Sequence, residues 1–188
     1  SRNVHDYLMG ERMKMFDLLA WNADGTRLPY TMHAQYLRQL FLNNDLAEGR
    51  YEVAGKPIAI SDIRAPIFAV GTEDDHVAPW KSVYKFHRFA DTDVTFVLTN
   101  GGHNAGIVTE PGHRGRHFRM ATTAFDAPFR DADEWQEAVA PQEGSWWTAH
   151  AQWLKERSGP LGDLPAMGRA EAGYAPLCAA PGTYVLRA

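Results

Sequence analysis

A chain of 188 residues with 45% apolar and 12% aromatic content is long enough to bury a core and has the composition of a folded globular domain. The formal net charge of -4, with its signs scattered, leaves no basic stripe for nucleic acid, and no apolar run approaches the roughly 18 residues that a transmembrane helix needs. A single cysteine excludes an internal disulfide and makes a reducing, cytoplasmic setting the expectation.

From the N-terminus, Met9, Met13, Phe16 and Ala20 step along one face of a helix predicted over residues 3–20, and Asp24-Gly25 marks a turn after it. His33, Tyr36, Leu37, Leu40 and Phe41 repeat helical spacing over residues 31–42, where Asn43, Asn44 and Asp45 stop the element. A small hairpin is expected next, with strands at residues 51–53 and 58–60 joined by a turn at Ala54, Gly55, Lys56 and Pro57.

Ile67, Phe68, Ala69 and Val70 form a continuous apolar run ending at Gly71, which reads as a buried strand. It opens into Thr72-Glu73-Asp74-Asp75-His76, after which Pro79 suits a helix start and Trp80, Val83, Tyr84 and His87 share one face. A second apolar run at residues 94–98 leads into Thr99-Asn100-Gly101-Gly102-His103-Asn104-Ala105-Gly106. Strand, helix and strand in this order predict a right-handed crossover between parallel neighbours, whose C-terminal loops share one edge of the sheet. The helices of residues 1–45 are expected to pack outside that sheet.

Beyond Glu110-Pro111-Gly112, residues 113–124 read as a further extended segment, and residues 131–139 as a short amphipathic helix closed by Pro141. Ser145 is placed to cap another helix, in which Trp146, His150, Trp153, Leu154 and Arg157 keep helical spacing. From Gly159 onward Gly, Pro and Ala dominate, which argues against a packed element before residues 183–186.

An acid and a histidine at one sheet edge are pieces of a hydrolase-type triad, in which the acid orients the imidazole and the imidazole deprotonates a nucleophile. His103 is the first candidate for the base. A loop histidine can also be a structural hydrogen-bond partner, but glycines at 101, 102 and 106 would let the backbone approach a substrate with no Cβ in the way. Glu73, Asp74 and Asp75 compete for the acid's role, since successive acids are commonly a solvated turn. His76 reads as a structural or lining residue. Residues 1–66 contain no Gly-x-Ser-x-Gly or Gly-x-Cys-x-Gly elbow. Cys178 lacks a strand–turn–helix setting and follows the histidine in the chain, and Ser145 lacks a following glycine, so neither is read as the nucleophile. His113 and His117 are four apart, yet Pro111, Gly112 and Gly115 oppose the helix that would make them a zinc pair, and no metal site is predicted. Tryptophans 146, 147 and 153 read as core packing in preference to a contact surface.

Five segments then fall into one pattern: Trp21-Asn22-Ala23-Asp24, residues 73–80, Gly102-His103-Asn104-Ala105-Gly106, Gly144-Ser145-Trp146-Trp147 and residues 180–185. In this order they resemble the C-terminal half of the polyhydroxyalkanoate synthases, the acyltransferases that build storage polyesters from 3-hydroxyacyl-CoA. The resemblance implies the C-terminal part of an α/β-hydrolase fold, a mostly parallel sheet flanked by helices with part of a helical cap. Residues 1–45 would end the cap, residues 46–158 would form the core, and residues 159–188 a Gly/Pro/Ala-rich tail. It selects Asp75 as the triad acid, because His76, Pro79 and Trp80 follow it as in the family, and His103 as the general base. His76 and Asn104 are assigned to substrate binding. The family's nucleophilic cysteine matches nothing here, so the chain is expected to be a piece of a longer protein whose N-terminal half carries it.

The implied partners are the 3-hydroxyacyl-CoA substrate, the growing polyester chain and that N-terminal half, with room for a homodimer. CoA is a leaving group, no cofactor is expected, and the implied location is the cytoplasm at the surface of polyester granules. Two rival readings are a polyester depolymerase or esterase sharing the acid and histidine loops, and a non-catalytic module docking on a granule or partner. The latter would be favoured by Asp75 and His103 standing out of contact.

Overall fold

The computed structural model describes residues 9–10, 17, 21, 25 and 27–183. The helix expected over residues 3–20 and the element expected at residues 183–186 lie, but for single positions, outside the described residues. Helix α1 (Tyr30–Gln35) continues as a wider π-type stretch over Tyr36–Leu42. No residue of either is buried, and Tyr30, Phe41 and Leu42 are 87%, 70% and 79% exposed, so the face expected to pack on the sheet is open.

Strands β1 (Tyr51–Val53) and β2 (Lys56–Ile58) form the expected hairpin with a different register. Only Ala54 and Gly55 make the turn, at φ of 50° and 74°, a two-residue connection whose handedness matches the strand twist. Lys56 and Pro57 therefore enter the second strand, instead of preceding a strand at residues 58–60. Pro57 is tolerated there because a two-stranded ribbon leaves one side of each strand unpaired.

The main sheet holds β3 (Ile67–Thr72), β4 (Val94–Thr99), β5 (His117–Thr123) and β6 (Gln142–Glu143), in that order. β3 and β4 are parallel, with Ile67 opposite Val94 and Thr72 opposite Thr99. β5 returns antiparallel to β4, and β6 pairs antiparallel with His117 and Phe118. The result is a mixed sheet flanked by helices, an α/β architecture. Helix α2 (Trp80–Tyr84), extended by a tight turn over Lys85–Arg88, makes the crossover from β3 to β4. Helix α3 (Ala132–Ala138) starts at Asp131, whose side chain accepts the Glu134 N–H at 2.9 Å. Helix α4 (Trp147–Glu156) follows β6.

Side chains alternate across a strand, so the sheet carries two cores. Phe96 and Leu98 meet Trp80 and Tyr84 from α2 and Trp135 from α3. On the opposite face Val97 and Phe118 meet Trp146, with Phe68, Val70 and Met120 packed around them. His87, partly buried beside the first core, donates its Nδ1–H to the Tyr84 carbonyl at 2.9 Å, and burial pushes its pKa below the usual histidine value. Because β4 is buried along its whole length and β3 lies in register beside it, the ends of both strands are fixed at one level.

Candidate active site

Thr72 and Thr99 end the two parallel strands side by side, and the chains leaving them stay paired a little further. The Glu73 N–H donates to Thr99 O at 2.9 Å and the Asp74 N–H to Gly101 O at 3.1 Å. This zipper brings the acidic loop and the histidine loop together. Asp75 then turns on itself: its Oδ1 accepts the N–H groups of Val77 and Ala78, each at 2.8 Å. The other carboxylate oxygen, Oδ2, lies 2.8 Å from Nδ1 of His103. The Asp75 side chain is only 8% exposed and that of His103 is 46% exposed.

The Ala78 N–H is the first cause that lowers the Asp75 pKa, to about 2, with the His103 hydrogen bond and the Val77 N–H acting in the same direction and burial opposing them. Asp75 is thus an acceptor at any ordinary pH. It calls for a proton on Nδ1 of His103 and leaves Nε2 as the basic nitrogen. Nε2 takes no hydrogen bond among the described residues.

The histidine loop closes as a single helical turn, with the N–H groups of Ile107 and Val108 bonding to Asn104 O at 3.1 and 2.8 Å. Its glycines serve this packing. A Cβ on Gly106 would stand 2.6 Å from Thr72 Cγ2 and 3.0 Å from Asn100 O, and one on Gly101, at φ 102°, would meet the Arg116 guanidinium and the Gly106 backbone. Gly102 has its nearest neighbour at 3.8 Å. The smallness read from the sequence as room for a substrate is therefore used, at positions 101 and 106, to seat the loop against its own strands.

Sequence reasoning missed the side chains that hold the loop from outside. Asn100 bridges the two strand ends, its Oδ1 accepting the His117 N–H at 3.1 Å and its Nδ2 donating to Gly115 O at 2.9 Å. Ser145 Oγ donates to Thr109 O at 2.7 Å, while the indoles of Trp146 and Trp147 donate to Gly106 O and Ile107 O at 3.1 and 2.8 Å. The available signal is the polarity of the indole N–H, which favours a hydrogen-bond partner when a tryptophan packs. Ser145, expected to cap α4, lies one residue before the cap position, which Trp146 holds, and its Oγ accepts the Trp147 N–H at 3.2 Å.

The remaining candidates make no side-chain hydrogen bond to the dyad among the described residues. His76 is exposed, and Asn104 is partly buried with no side-chain hydrogen bond among the described residues. Glu73 faces His117, Oε2 to Nε2 3.7 Å, whereas His113 pairs with Glu110 at 3.1 Å, so the two histidines four residues apart share no partner. Among the described residues no cluster of three His, Cys, Asp or Glu side chains could hold a metal, and no helix is long and apolar enough to cross a membrane. Cys178 is exposed in the tail. Two grooves, of about 520 Å³ beside Phe129 and Trp135 and about 470 Å³ along Leu37 and Phe41, are lined by neither Asp75 nor His103. The dyad and not groove volume marks the chemistry.

An acid-held imidazole with a free second nitrogen is the proton-accepting half of a nucleophile–histidine–acid unit. The chain is 37% identical over 183 residues to poly(3-hydroxyalkanoate) polymerase 2 of Ectopseudomonas oleovorans, an alignment covering 97% of the chain and 32% of the relative. It is 35% identical over 184 residues to the poly(3-hydroxyalkanoate) polymerase of Methylorubrum extorquens, covering 97% and 29% of the two chains. The corresponding figures for the poly(3-hydroxyalkanoate) polymerase subunit PhaC of Cupriavidus necator are 32% over 183 residues, 97% and 30%. No family model matches the chain. The homologues are thus poly(3-hydroxyalkanoate) polymerases, as the five motif segments implied, and the chain spans about a third of the length of the curated relatives it matches.

Proposed function

We propose that this chain is the acid-and-histidine segment of a poly(3-hydroxyalkanoate) polymerase, an acyltransferase of the α/β-hydrolase fold, with Asp75 and His103 as two members of its triad. The observation that carries the reading is the 2.8 Å contact between Asp75 and His103 at the ends of adjacent parallel strands, in a chain whose homologues are such polymerases. In this reading residues 1–45 end a helical cap, residues 46–158 complete the core and residues 159–188 are a tail. The remainder of the polymerase supplies the nucleophile, a cysteine by family resemblance.

The chemistry of this reading joins the Asp75–His103 contact to the cysteine that the family resemblance implies. Asp75 holds the Nδ1–H of His103, so Nε2 takes the proton of the cysteine thiol. The sulfur attacks the thioester carbonyl of a 3-hydroxyacyl-CoA, and collapse of the adduct breaks the bond to the CoA sulfur, which leaves with the proton held by the imidazolium. Nε2 then accepts the 3-hydroxyl proton of the other acyl unit as that oxygen attacks the acyl-enzyme. An ester bond forms, and the cysteine sulfur departs and is reprotonated. Asp75 stays ionised and stabilises each imidazolium. His76 and Asn104, beside the two dyad residues in the chain, line the substrate. In this reading the protein works at the surface of polyester granules, where its product collects.

The test joins the chain to the upstream portion that completes a polymerase. His103→Ala should remove nearly all CoA release from 3-hydroxybutyryl-CoA and leave the circular dichroism spectrum unchanged; retention of most turnover would overturn the assignment. The 188-residue chain alone should release essentially no CoA, because a triad acts as a unit. Robust release that disappears in Cys178→Ser would place the nucleophile in the tail and sink this reading.

A further inference from the structure

Ser145, Trp146 and Trp147 each donate one side-chain hydrogen bond to a main-chain carbonyl of the turn that follows His103, across sequence separations of 36, 40 and 40 residues. Ser145 and Trp146 are 3% and 5% exposed, so burial alone obliges their donors to find partners. Trp147 differs. It is 40% exposed and could give its indole N–H to water, yet that N–H lies 2.8 Å from Ile107 O. Its ring is stacked on Trp146, with centroids 4.5 Å apart and planes at 27°, which fixes the direction of the donor.

We infer that Trp147 is a positioning residue for His103: its indole N–H pins the turn after the histidine and so sets the ring against Asp75. The inference rests on the reading of His103 as the base. Trp147→Phe is the discriminating variant, since it keeps a stacked ring and deletes the donor. A matched control exists in the same helix, where the Trp153 indole donates to Thr95 Oγ1 at 3.2 Å, near the start of β4 and so at the end of the strand away from the dyad.

The experiment is nitrogen-15 and proton NMR of the His103 imidazole in the chain as it stands. In the wild type the Nδ1-bound proton should resonate far downfield because Asp75 accepts it; in Trp147→Phe this signal should move upfield or broaden, and in Trp153→Phe it should stay. An unchanged His103 signal in Trp147→Phe, or an equal change in Trp153→Phe, overturns the inference. Should Trp147→Phe fail to fold, hydrogen exchange of the wild-type Trp147 indole N–H decides: protection supports the bond to Ile107 and free exchange refutes its positioning role. In a completed polymerase, Trp147→Phe should lower kcat on the order of tenfold with KM within about twofold, as loss of alignment does. Turnover surviving His103→Ala while the Trp147→Phe shift persists would remove the catalytic reading and leave the positioning intact.

Discussion

The two loops that meet at the dyad are held in opposite ways. The turn that follows Asp75 is held locally, because its Oδ1 accepts N–H groups two and three residues ahead of it, while Glu73 and Asp74 before it are zipped to Thr99 and Gly101. The histidine loop has its own helical turn, with Ile107 and Val108 bonded to Asn104 O, but is also tied down from outside. It is seated by Gly106 against Thr72, by Asn100 against the start of β5 and by donors from α4 and the residues before it. The seat of the acid is a short-range turn, whereas the histidine loop adds to its own turn side-chain supports from 36 to 40 residues away. A perturbation of the acid should therefore act on chemistry first, and one of the histidine's supports should act on geometry and stability together.

Asp75→Asn separates these functions most sharply, and carries the largest expected effect. The new amide oxygen can still accept the Val77 and Ala78 N–H groups, while its NH₂ confronts His103 Nδ1 with a donor where an acceptor stood. The imidazole must then present the wrong tautomer. In a completed polymerase turnover should fall about 10³- to 10⁴-fold with the melting temperature little changed. Asp75→Ala should lose similar activity and also loosen the loop; equal melting temperatures for the two variants would break the claim that Asp75 builds its own turn.

The histidine loop gives the converse result. Gly106→Ala would push a methyl against the Thr72 side chain and the Asn100 carbonyl, and should cost about 1–3 kcal/mol of stability in urea unfolding. Gly102→Ala, with no neighbour closer than 3.8 Å, should stay within about 0.5 kcal/mol. A tolerated alanine at 106 would mean that the loop is not seated through that contact.

This contrast also explains what was legible in the sequence. The apolar runs at residues 67–70 and 94–98 announce buried strands, and the spacing of Trp80, Val83 and Tyr84 announces the crossover helix, so the parallel pair and the shared edge follow from periodicity. Asp131 as a helix start was equally local. Periodicity finds faces, however, and not hydrogen-bond partners. It groups Trp146, Trp147 and Trp153 as core, although Trp147 is 40% exposed, and is silent on two adjacent indoles donating to successive carbonyls 40 residues back. The hairpin register was misplaced because Ala54 adopts positive φ, a conformation alanine does not advertise. Gly101 and Gly106 read in the sequence as letting the backbone approach a substrate, but the neighbour they accommodate is the chain itself.

The smallest expected effect tests the local character of the acidic loop through pH. Folding lowers the Asp75 pKa from 3.8 to about 2, so between these values the unfolded chain binds more protons than the folded one. The stability Asp75 contributes is present above pH 3.8, erodes as pH falls toward 2 and is gone below it. Urea midpoints measured from pH 5 down to 2 should decline more steeply in the wild type than in Asp75→Asn, which has no carboxylate to protonate. Trp147→Phe should be lower at every pH and decline somewhat less steeply than the wild type, because a His103 ring set less well against Asp75 gives up part of the hydrogen bond that lowers the Asp75 pKa. Identical slopes for wild type and Asp75→Asn would show that the Val77 and Ala78 N–H groups do not hold the carboxylate in its charged form, and the acidic loop would then owe its shape to its neighbours as the histidine loop does.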